Sequence, residues 1–114
     1  MINTLIKILS SQPLPLEKEK ETQELIEALF KKNAIAYNRE HMLDTNNIPD
    51  FFIDGIAIEV KIKGNAKQIY RQCVRYCNFK EVKSLILLTN RSMGWPQELN
   101  GKPCYIINLG KAWL

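Results

Sequence analysis

Cysteine is scarce in this chain and histidine scarcer: Cys73, Cys77 and Cys104 are the three cysteines, and His41 is the single histidine. Three is an odd count without the spacing of a disulfide framework, so a stapled scaffold is excluded and a reducing compartment is expected. No ligand pair shows zinc-finger spacing either. Cys73 and Cys77 lie one helical turn apart on an apolar stripe and read as core packing. His41 reads as a loop residue. Long apolar runs are also missing, and nothing approaches the roughly 18 residues needed to span a bilayer. "MINTLIKILSS" lacks the charged start and long apolar stretch of a secretion signal. A cytoplasmic protein is the expectation. Repeats and low-complexity tracts are absent too, which excludes solenoids and disordered linkers.

What remains is an ordinary globular composition. The chain has 114 residues, the size of one domain, with an apolar share of 46% that suffices for a core without staples. The net charge of +4 suits a polyanionic partner and identifies none.

Periodicity divides the chain. Ile2, Leu5, Ile6 and Leu9 recur at helical spacing, which predicts a short helix over 2–10, and Pro13 and Pro15 then break it. Residues 1–15 read as a helix and linker, and 16–114 as the main body. A second helix is expected from Leu16 to Lys32, with acids first, lysines last and Leu25, Ile26, Leu29 and Phe30 on one face. Asn33 is its expected stop. "AIAYNRE" reads as a strand, "HMLDTNN" as a loop. "IPDFFIDGIAIEVKIKG" reads as a hairpin turning at Asp54-Gly55, the dipeptide favoured by a type I′ turn. Ala66, Ile69, Tyr70, Cys73, Val74 and Cys77 mark a helix over about 65–78, which assigns Tyr70 to the core. "SLILLT" is a continuous apolar run, as in a strand covered on both faces. "SMGWPQELNGKP" reads as a loop and "CYIINL" as a closing strand. Trp95-Pro96 and Trp113 read as packing or partner-surface residues. Together these elements predict an α/β fold with a mixed central sheet flanked by helices.

The hairpin carries the chemistry. A two-residue turn at Asp54-Gly55 sets Ile53 opposite Ile56, Phe52 opposite Ala57, Phe51 opposite Ile58 and Asp50 opposite Glu59. Lys61 then points to the same side as the two acids, whereas Ile56, Ile58, Val60 and Ile62 make the other side wholly apolar. The plain reading is a solvent-facing strand on which Glu59 and Lys61 pair loosely. Opposed like charges destabilise a sheet, however, and a bound cation is the simplest compensation. Two carboxylates suit a hard ion such as Mg²⁺, and an ammonium beside them suits a water or a developing phosphorane charge.

Pro49-Asp50, Glu59 nine positions on, and "EVK" resemble the P-D…(D/E)-x-K nuclease superfamily, over roughly Glu17 to Asn90. The resemblance implies a restriction-endonuclease-like core and Mg²⁺-dependent cleavage of DNA, with Mn²⁺ able to substitute. Asp50 and Glu59 would hold the metal, helped by the backbone carbonyl of Val60, and Lys61 would position the attacking water. "EKETQELIEALF" is similar to the opening helix of the virus-type replication and repair branch, where a Glu precedes a Gln by four. That selects Glu19, with Gln23 as the Gln and Glu21 as the runner-up for the Glu. Holliday-junction resolvases share this motif order and act as dimers, which implies a homodimer, through the N-terminal helix or the terminal "LGKAWL". Lys67, Arg71 and Arg75 repeat every four residues as a basic stripe, extended by Lys63, and read as phosphate contacts. Gln68 is weakly similar to a Gln that approaches the site in related nucleases. A catalytically silent module that binds DNA on the same fold is the alternative.

Overall fold

The computed structural model describes residues 1–11, 14, 17–62, 64–91 and 94–109. The described elements run α1 (Ile2–Leu9), α2 (Glu19–Lys32), β1 (Asn38–Arg39), β2 (Phe51–Ile53), β3 (Ile56–Lys61), α3 (Ala66–Tyr76), β4 (Ser84–Thr89), β5 (Glu98–Leu99) and β6 (Lys102–Asn108). They form an α/β fold whose six strands pair in the order β1-β2-β3-β4-β6-β5. The sheet is mixed: β3, β4 and β6 are parallel neighbours, while the β1-β2, β2-β3 and β5-β6 pairs are antiparallel. No helix among the described residues is long and apolar enough to cross a membrane.

The two sides of the sheet bury two apolar cores. One joins Leu5 and Leu9 of α1 and Ile26, Leu29 and Phe30 of α2 to Ile56, Ile58, Val60 and Ile62. The other joins Ile69, Cys73 and Tyr76 of α3 to Ala57, Leu85, Leu87 and Cys104. Helices therefore flank the sheet on both sides, as the apolar runs require. Every residue of β4 is buried.

Three boundaries differ from the sequence reading. The second helix starts at Glu19 rather than Leu16, because Lys18 is extended at φ −133° and serves as its N-cap. This places Glu19 and Glu21 in the first turn, where acids favour the helix dipole. Only Asn38–Arg39 of the "AIAYNRE" stretch pairs as a strand. Within "SMGWPQELNGKP", Glu98–Leu99 pairs with the start of β6. The turn between them is Asn100-Gly101, at φ 53° and 76°, the left-handed pair of a tight hairpin. The helix stop at Asn33 holds, with Asn33 Nδ2 donating to the Leu29 carbonyl at 2.8 Å.

The Asp54-Gly55 turn adopts φ 47° and 80°, and its register is the expected one: Ile53 opposite Ile56, Phe52 opposite Ala57, Phe51 opposite Ile58. Gly55 is required twice over. Its backbone is left-handed, and a Cβ there would lie 2.6 Å from Lys83 Cγ and 3.2 Å from the Glu81 carbonyl. Gly55→Ala should destabilise the protein by about 1–2 kcal/mol, read as a lower melting temperature. An unchanged melting temperature would mean that this turn does not fix the hairpin.

Candidate active site

Pro49 offers the hairpin no N–H, and the N–H of Asp50 does not join the ladder. It donates instead to Glu59 Oε1 at 3.2 Å, which is why β2 begins only at Phe51. In return Asp50 Oδ2 accepts the Val60 N–H at 2.8 Å. Each carboxylate thus takes a main-chain N–H from the opposing strand, a reciprocal clasp that holds the two acids across from one another. Lys61, two residues on, sets its Nζ 3.4 Å from Glu59 Oε2.

Glu59 is not solvent-facing. It is 3% exposed, because α3 covers this side of β3, and the two-sided burial of Ala57 and Glu59 corrects the plain reading of an open strand. Burial, and next the Asp50 charge, raise the Glu59 carboxyl from 4.5 to about 8. Burial likewise raises Asp50 from 3.8 to about 6, with the Glu19 charge adding to the rise. The Val60 N–H, Lys61 and Arg39 pull Asp50 the other way without cancelling the effect.

Glu19 opens α2, and its Oε1 accepts the Ile62 N–H at 3.0 Å, just past the end of β3. The charge of Glu19 reaches Asp50, so the chain brings Glu19, Asp50, Glu59 and Lys61 to one end of the β2-β3 hairpin. Glu21 is exposed and lies 3.9 Å from Lys18 instead. Gln23 Oε1 accepts from Arg39 Nη2 at 3.1 Å, and Arg39 also lies 3.7 Å from Glu27 and over the Phe51 ring.

Lys61 opens onto a cleft of about 410 Å³ shared with Gly64, Gln68, Arg71, Gln72 and Arg75. Arg75 is steered by its Nε, which donates to Asn47 Oδ1 at 3.1 Å. Gln68 lines the same cleft as Lys61, and its main-chain N–H donates to the Asn65 cap at 2.8 Å. Lys67 is exposed and does not line this cleft, and Lys63 lies outside the described residues. Val60 is fully buried, and the contact it makes at the site is its N–H to Asp50.

Two site residues, Tyr76 and Gln72, escaped the sequence reading. Tyr76 is fully buried and donates its hydroxyl proton to Glu59 Oε1 at 3.2 Å, while accepting from Gln72 Nε2 at 2.8 Å. The signal was available: Tyr76 follows Ile69 by seven positions and Cys73 by three, on the same helical stripe. Tyr70, assigned to the core, is instead 40% exposed and packs edge-on against Trp95 with ring centroids 5.6 Å apart. It sits 100° around the helix from Ile69, off the buried stripe. Tyr76→Phe should cost about 1 kcal/mol, because it strips a donor from Glu59 and the partner from Gln72. Thermal melts that fail to separate Tyr76→Phe from wild type would remove Tyr76 from the site.

The cysteines pack as expected: Cys73, Cys77 and Cys104 are buried and free. His41 is directed elsewhere, 3.2 Å from Glu81 Oε2 and stacked on Phe52 at 4.3 Å. Trp113 and most of "LGKAWL" lie outside the described residues.

Among the described residues no three His, Cys, Asp or Glu side chains converge as a closed metal cage. The donor set is an opposed pair of carboxylates, both hard oxygen ligands, with a third carboxylate within electrostatic reach. That suits an ion held by two carboxylates while keeping waters and substrate oxygens for the rest of its shell, as Mg²⁺ does. No family model, curated protein or solved structure matches the chain.

Proposed function

We propose that this chain is a Mg²⁺-dependent nuclease with a restriction-endonuclease-like core, cleaving DNA phosphodiester bonds with structural or weak sequence preference. One observation carries the reading: a buried Glu59 and a half-buried Asp50 are clasped opposite one another, with an ammonium beside them at the wall of a basic cleft. Ionising such a pair costs the fold stability, since both carboxyls are held above their ordinary values. Mg²⁺, or Mn²⁺ in its place, would be held by Asp50 and Glu59 and would supply Lewis-acid polarisation and charge compensation.

The chain's own residues do the rest. Lys61 Nζ presents donors at the cleft wall, where it orients the attacking water and faces the negative charge developing on phosphorus. Tyr76 and Gln72 fix the Glu59 carboxylate, and α3 keeps bulk water from its inner oxygen. Glu19 ties the start of α2 to the end of β3, which sets where Lys61 projects. Arg71 and Arg75 line the same cleft and engage flanking phosphates as positioning contacts. The proposal includes a homodimer, since a domain this small offers few elements for reading a duplex alone.

One observation favours a second reading, a non-catalytic DNA-binding module: among the described residues the acids do not form a closed cage of three. The discriminating experiment incubates purified protein with supercoiled, single-stranded and branched DNA, with and without Mg²⁺ or Mn²⁺. Cleavage that requires the metal and disappears in Asp50→Asn supports the nuclease. Salt-sensitive binding with no cleavage of any substrate supports the silent module.

A further inference from the structure

A second basic cleft lies just past the C-terminal end of α3. Lys80, Lys83, Lys102, Asn78, Asn100 and Cys77 line an open cleft of about 590 Å³, with no carboxylate among the lining residues. The acid nearest in sequence, Glu81, is directed to His41 at 3.2 Å. The walls are built rather than loose. Lys102 Nζ donates to the Phe79 carbonyl, and Asn100 Nδ2 donates to Asn78 Oδ1 and to the Val74 carbonyl. Lys80 and Lys83 are exposed. Three lysines lining one concavity without an acid among them favour an anion there.

The α3 surface that leads to it is also basic. α3 carries Lys67, Arg71 and Arg75 and no acid over its 11 residues. At 1.5 Å per residue the helix is about 16 Å long, the axial length of roughly five nucleotide steps at 3.4 Å each. Lys67, Arg71 and Arg75 are all exposed along it. Arg71 and Arg75 also line the first cleft, so a phosphodiester strand held there would meet the cations of α3 on its way to the lysine cleft.

We propose that the Lys80–Lys83–Lys102 cleft is a second phosphodiester-backbone site, holding the nucleic-acid segment that flanks the cleaved bond. It rests on the nucleic-acid part of the function proposed above, and it places the flank on the α3 side of the sheet rather than the α1-α2 side.

The test is binding of a short DNA duplex without divalent metal, titrated with salt. Lys80→Gln/Lys83→Gln is compared with Lys7→Gln/Lys31→Gln, which removes the same charge from α1 and α2. Each lost phosphate contact lowers the slope of log affinity against log salt by about 0.9, so the cleft variant should lose about 1.8 and the control nothing. Equal losses in the two variants, or none in either, overturn the proposal, provided that melting temperatures match wild type. A nucleoside triphosphate that displaces duplex from wild type but not from the cleft variant makes this a free-nucleotide site, and also overturns it. Metal-dependent cleavage by wild type, measured in parallel, reads the nuclease proposal separately. Cleavage with an unaltered salt slope in the cleft variant sinks only the flanking site.

Discussion

As pH rises from about 4 to about 8, the metal-free protein loses stability, and Glu59→Gln removes most of that loss. The sign follows from linkage. Both carboxyls bind their protons more tightly folded than unfolded, so their contribution is complete below the unfolded values of 3.8 and 4.5. It is lost as pH climbs through the folded values, about 6 for Asp50 and about 8 for Glu59. Each unit of separation is worth about 1.4 kcal/mol, so the loss is on the order of a few kcal/mol. In Glu59→Gln the buried position cannot ionise, and the remaining slope comes mainly from Asp50 below about pH 6. Mg²⁺ should flatten the wild-type curve at its alkaline end, because a bound cation replaces the two protons. Melting curves across this range with chelator give the answer. A wild-type stability that is flat or rises over the interval would mean that the two acids are solvated and independent.

Cleavage by Lys61→Ala should fall about 10²–10³-fold, the usual cost of removing one donor aimed at developing charge. The melting temperature should change little, since the side chain is partly exposed and its ion pair reaches only one oxygen of Glu59. Lys61→Arg should restore little, because a planar guanidinium cannot occupy the place of a compact ammonium beside Glu59. Single-turnover rates with saturating Mg²⁺ separate this from weakened metal binding. A Lys61→Ala rate within a few-fold of wild type would deny Lys61 its place in the chemistry.

Much of the hairpin was legible because short-range chemistry determines it. Asp54 and Gly55 accept left-handed backbone, the turn they make sets the register, and the register puts Asp50 opposite Glu59. Glu19 was selected through the resemblance of its helix, and the structure places its Oε1 where it accepts the Ile62 N–H. Burial of the acidic side was not legible. Alternation on β3 shows that its two faces differ, but only the crossing of α3 above it decides that Glu59 is enclosed. The same crossing exchanges the two tyrosines of α3, drawing Tyr76 under the helix and leaving Tyr70 at its flank. The β5-β6 hairpin was missed although Asn100-Gly101 announces it, because two residues of pairing leave almost no alternation to read. Cys104 and Cys73 lie far apart in sequence, and their shared core depends on β6 pairing beside β4.

The claim on which everything else depends is that the clasped acids hold a divalent ion. Calorimetric titration of Mn²⁺ into the wild-type protein, Asp50→Asn and Glu59→Gln near neutral pH tests it without a substrate. Wild type should show a saturable site that releases protons on binding, since carboxyls at about 6 and about 8 are still partly protonated there. Both variants should lose that site. Wild-type heats no different from those of the two variants, with no proton release, would contradict the account.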